Sequence, residues 1–103
     1  MSVERELSRL VADNGKQFLT ETIDPWELAP GDRIFYHDAR EGYVTILARG
    51  ADYYKERACH RPGDPLVRVT PVLAYWANWG WPSMWDMSNA EVFRILRELG
   101  DSE

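Results

Sequence analysis

Gly80 and Pro82 stand on either side of Trp81 in the stretch AYWANWGWPSMW (74–85), and together they exclude a continuous helix through it. The same stretch holds Trp76, Trp79, Trp81 and Trp85, four of the chain's five tryptophans. Their separations of three, two and four residues match neither the helical nor the strand period. The segment is therefore expected to be an irregular, aromatic-rich connection between the last strand and a closing helix. Burying four indoles would contribute about 20 kcal/mol gross at about 25 cal/mol/Å². A chain of 103 residues needs that apolar mass for its core. Yet four such rings exceed what one short connection hides, so about half should be core. Trp79 and Trp81 are the expected exposed pair, because Gly80 and Pro82 put them at a turn.

Upstream, the middle of the chain alternates as strands do. RIFYH (33–37) sets Ile34 and Tyr36 against Phe35 and His37, and YVTILAR (43–49) puts Val44, Ile46 and Ala48 on one face. Between them DAREG has the composition of a hairpin loop closed by a left-handed glycine. DYYKERACH (52–60) is taken as a strand because RPGDP follows, with Pro62-Gly63 in type II turn order. LVRVTPVL (66–73) follows, with Pro71 marking an edge strand or a bulge. KQFLTETI (16–23) has the composition of a further short strand, and IDPWEL that of a helical turn capped by Asp24 and Glu27.

Both ends read as helices. Val3, Leu7, Leu10 and Val11 form one apolar stripe, and Asn14-Gly15 supplies a left-handed stop, which predicts a helix over 3–13. Near the other end, Ser88-Asn-Ala-Glu91 has the form of a capping box. Val92, Ile95, Leu96 and Leu99 follow at helical spacing, with residues 101–103 frayed beyond them. The expected architecture is one α+β domain over residues 1–103: an antiparallel β-meander of about four strands between an N-terminal and a C-terminal helix. The sheet is either open or curled, and its short strands and tight hairpins resemble the architecture of an SH3-like small barrel.

Composition narrows the function classes. Apolar residues make up 45% and charged residues 28%, which is globular rather than disordered. The chain has no apolar run long enough for a membrane helix, and MSVERELSRL has no apolar signal region, so a cytoplasmic protein is expected. A single cysteine, Cys59, fits a reducing compartment. The net charge is −5, with −3 over residues 1–30, +1 over 31–70 and −3 over 71–103. Acidic ends repel polyanions and attract basic protein surfaces.

No phosphate loop and no nucleophile elbow occur, so no catalytic residue and no cofactor are nominated. His37-Asp38 and Cys59-His60 lack the spacing of a tetrahedral site, and no metal ligand is nominated either. Cys59 is expected to be small and buried, and the histidines partly exposed. The expected function is a small acidic protein-binding module of the inhibitor, immunity or adaptor kind. Its anchor would be Tyr75, Trp76, Trp79, Trp81 and Trp85, and its partner another protein, with a basic one favoured by charge. The alternative is a nucleic-acid-associated small barrel that uses Tyr53, Tyr54, Lys55 and Arg57. Against it, residues 71–90 contain no Lys or Arg.

Overall fold

Every regular element but one is a β-strand among residues 5–57, 59–88 and 91–100, which the computed structural model describes. In chain order these are β1 (Leu7–Val11), β2 (Gln17–Ile23), β3 (Arg33–Phe35), β4 (Tyr43–Arg49), β5 (Tyr53–Lys55), β6 (Val67–Trp76), β7 (Trp81–Ser88) and β8 (Val92–Leu99). The exception is a 3-10 turn at Pro25–Glu27. All pairings are antiparallel, in the order β1-β2-β8-β3-β4-β6, with β4 and β5 on one side of β6 and β7 on the other. The sheet curls into a half-barrel. The α+β expectation is thus overturned: among the described residues no helix flanks the sheet, and eight strands replace a meander of about four.

The expected N-terminal helix is β1 instead, while residues 1–4, Val3 among them, lie outside the described residues. Asn14-Gly15 does end the element, but as a hairpin. The Gly15 amide donates to the Ala12 carbonyl at 2.9 Å, with Gly15 at φ +88°. Leu7 and Val11, half of the supposed buried stripe, are each 57% exposed. A lone short helix is marginal in water, whereas β2 offers this segment a full ladder of partners from Leu7 to Val11.

The expected C-terminal helix is β8. Asn89 and Ala90 of its capping box lie outside the described residues, and Ser88 ends β7. VFRILREL imitates helical spacing because Val92 and Ile95 are buried on opposite faces of the first half of β8, and the skipped Leu96 breaks the alternation beyond them. Val92 enters the core on one face, and Ile95 packs with Ala12 and Phe18 on the other. A register shift at Leu19/Thr20 of β2 skips Leu96 between Arg97 and Ile95.

Three further expectations change. Among the described residues of 52–60, only Tyr53–Lys55 forms a strand. Ala48 turns outward, because a bulge between Ile46 and Ala48 reverses the alternation of β4. Pro71 lies inside the sheet, neither at its edge nor at the β4–β6 bulge, which falls opposite Leu73 and Ala74. It falls where β5 gives way to β4 as the neighbour of β6, and its carbonyl accepts from the Gly50 amide at 3.0 Å.

The larger core lies on what we term the inner face, where Ile34, Val44, Ile46, Val72, Ala74 and Trp76 converge on Leu28. Leu28 arrives there because the 3-10 turn is tied down from both sides. The Asp24 amide donates to Glu27 Oε2 at 2.8 Å, and Arg5 pairs with the same carboxylate. Arg49 Nη1 donates to the Trp26 and Leu28 carbonyls at 2.6 and 3.1 Å. Asp52 in turn receives Arg49, Arg68 at 2.6 Å and the Thr70 hydroxyl at 2.8 Å. The Arg68 guanidinium then covers the Trp26 ring at 4.5 Å.

Candidate binding surface at the tryptophan hairpin

The tryptophan segment is a β-hairpin, not an irregular connection. Trp76 and Trp81 face each other as its closing pair, and the Trp79 and Gly80 amides donate to the Trp76 carbonyl at 3.2 and 3.1 Å. Gly80 takes φ +72°, a conformation that suits a residue without a Cβ. The hairpin register puts Trp81, Ser83, Trp85 and Met87 on the inner face and Pro82, Met84 and Asp86 on the outer.

The four indoles part company along this register. Trp76 is only 9% exposed and sits among three rings: Tyr36, Trp79 and Trp85, each with its centroid 5.1 Å away. Its indole N–H is buried without an acceptor among the described residues. Trp85 is half-buried against Tyr36, at 5.7 Å and 74°. Trp79 is 49% exposed and Trp81 63%. Tyr75 is half-buried on the outer face, flanked by Thr45 and Pro82. Of the five nominated anchor residues, then, the structure gathers three at the hairpin's inner side and tip around Trp76, and sets Tyr75 on the opposite face.

Residues that the sequence reading passed over add exposed apolar area on the outer face, opposite the tryptophans. Met84 is 75% exposed on β7, directly opposite Leu73, and Leu47 at the β4 bulge is also exposed. The signal was present in WPSMWDMS, which alternates once Gly80 is read as a hairpin turn. Tyr36 was missed too, and it forms the wall between two grooves. One is lined by Tyr36, Trp85, Asp86, Met87 and Ser88; the other includes His37, Glu91, Val92 and Phe93. Burial, with Asp38 nearby, raises the Tyr36 hydroxyl above its ordinary pKa.

β7 pairs with β6 alone among the described residues, so its other edge is open. The direction of its backbone groups follows from Pro71. A strand residue points its amide and carbonyl to the same side. The Pro71 carbonyl serves Gly50, away from β7, so its opposite number Asp86 does not exchange hydrogen bonds with it. The amide and carbonyl of Asp86 therefore point to the open edge, as do those of Met84 and Ser88 by alternation. Pro82 shares that orientation, where its missing amide deprives no ladder.

The alternative face is assembled differently. Tyr53, Tyr54, Lys55 and Arg57 are all exposed, on a three-residue strand and the loop after it. The Tyr53 hydroxyl is hydrogen-bonded to Asp86, which raises its pKa and brings a carboxylate to that face. His37 lies 3.3 Å from Asp13, and His60 3.9 Å from Glu56. Cys59 is exposed, contrary to expectation, because it sits in the turn after β5 and not in a strand. Among the described residues no three His, Cys, Asp or Glu side chains converge as metal ligands would. None of their helical segments is long and apolar enough to cross a membrane. Comparison with protein-family models, curated proteins and solved structures finds no match to this chain.

Proposed function

We propose that this chain is a protein-binding module that docks through its tryptophan hairpin. One observation carries the reading: Trp79 and Trp81, at the tip and inner side of one hairpin, stand 49% and 63% exposed. Their burial would stabilise a complex, and their exposure in the free chain is a liability that only an interface offsets. Tryptophan at the tip is rigid, so little side-chain entropy is lost on docking. A module of this kind acts by occluding or bridging its partner, as inhibitors and adaptors do. The acidic charge of residues 71–103 favours a basic partner at long range.

The experiment is affinity capture from cells that encode the chain, with wild type, Trp81→Ala and Trp81→Glu as baits. A specific protein retained by wild type and lost by both variants, at unchanged Tm, is the expected result. Retention of nucleic acid that falls steeply with salt would favour the tyrosine face instead. Equal capture by all three baits would remove the hairpin from the interface.

A further inference from the structure

We infer that the open edge of β7 is a strand-addition site for an extended, positively charged segment of the partner protein. The inference rests on the docking reading above and adds the chemistry of what docks. Natural sheets protect their edges with lysine, proline, bulges or short strands. The opposite edge, β1, is five residues long and carries Arg9. β7 is eight residues long, and beyond Pro82 it carries a single charge, Asp86, with no bulge in its pairing to β6. The amides of Met84, Asp86 and Ser88 and their carbonyls form a regular row along this edge, spaced for an antiparallel or parallel partner strand.

Charge selects the occupant. The two grooves that meet at Tyr36 beside this edge include Asp86 and Glu91 and no Arg or Lys. Residues 71–90 likewise supply no Lys or Arg, and the chain as a whole carries −5. In an added strand, side chains on the inner face fall beside Trp85 and Met87, over the groove that Tyr36 walls with Glu91 beyond it, and those on the outer face fall beside Asp86. Aromatic faces with carboxylates nearby suit a lysine or arginine side chain, whose stem packs on the rings while its charge meets the acids. A second copy pairing through its own β7 fits less well, because that strand would bring the same carboxylate and no cation.

The test uses the full chain and two ten-residue end-blocked peptides, one alternating lysine with valine and the other glutamate with valine. Amide hydrogen exchange is followed by NMR. The lysine peptide, at about 1 mM, should slow exchange at Met84, Asp86 and Ser88 at least tenfold, and the glutamate peptide should not. Met84→Pro removes one edge amide that serves no β6 hydrogen bond, so it should abolish the protection, whereas Met84→Ala should keep it. Should Met84→Pro fail to fold, the wild-type exchange pattern with the two peptides decides alone. Equal slowing by both peptides, or none by either, overturns the inference. So does protection already present in the free chain together with concentration-dependent dimerisation, which would mean that a second copy covers the edge. If the peptides fail while Trp81→Ala still loses the captured protein, strand addition falls and docking stands. If the lysine peptide protects the edge but Trp81→Ala captures normally, the hairpin tip is not the anchor.

Discussion

Trp76 stacks on Trp79 with ring centroids 5.1 Å apart and planes 28° from parallel, yet one is 9% exposed and the other 49%. The same side chain, three residues apart, therefore does two jobs. Trp76→Ala should cost about 3–5 kcal/mol, because it empties the centre of the inner core. Trp79→Ala should cost about 1 kcal/mol, the value of one partly exposed ring contact. Trp76→Phe should fall between them, since the buried indole N–H has no acceptor to lose among the described residues. Urea midpoints for the three variants give the comparison.

Gly42 closes the hairpin between β3 and β4 at φ +87°, and a Cβ there would lie 2.8 Å from Phe18 Cε2 and 3.0 Å from Ala12 Cβ. Gly42→Ala combines a strained backbone with a clash in the outer-face cluster, and should destabilise by about 2–4 kcal/mol. Gly15 has nearly the same φ, +88°, but open space around it. Gly15→Ala should cost only the backbone strain, about 1 kcal/mol. Thermal melts of the two variants separate strain from clash.

Arg94 on β8 binds Glu21 on β2 and reaches Asp32 at 3.4 Å, so one guanidinium links the strand to two neighbouring segments. Arg94→Met leaves two partly buried carboxylates without their cation and should cost about 1–3 kcal/mol. Adding Glu21→Gln to that variant should recover part of the loss. A double-mutant cycle measured by chemical denaturation checks both statements.

Glu27 is held down to a pKa of about 2, from an ordinary 4.5, first by the hydrogen bond from Arg5 and then by the Asp24 amide. Its folded pKa lies below the unfolded one, so its stabilisation is fully present above about pH 4.5 and is lost as pH falls towards 2. Asp52 shifts in the same direction, chiefly through the Thr70 hydroxyl and Arg68. Wild type should therefore lose stability between pH 5 and 2 more steeply than Glu27→Gln. Urea midpoints across that range should converge at the acid end; parallel curves would detach Glu27 from the effect.

Local chemistry was legible wherever a residue's own backbone preference decided the outcome. Asp24, Pro25 and Glu27 specify their turn, Gly15, Gly42, Gly63 and Gly80 take the positive φ that their turns need, and Gly80-Pro82 sets Trp81 at an exposed tip. These are interactions between near neighbours in the chain, and the sequence contains both partners.

What the ends of the chain become was decided elsewhere. LSRLV and VFRILREL carry helical spacing, but β2 lies beside both, and its ladder with β8 runs from Gln17 to Ile23. Val92 and Ile95 are buried on opposite faces, so the start of β8 resembles a helix until its neighbours are known. β1, in contrast, is an edge strand with Leu7 and Val11 exposed, and it gains its form from the ladder with β2. The open edge of β7 is likewise invisible in WPSMWDMS. Which backbone groups stay free depends on Gly50 engaging Pro71 two strands away, and only the tertiary sheet brings those residues together.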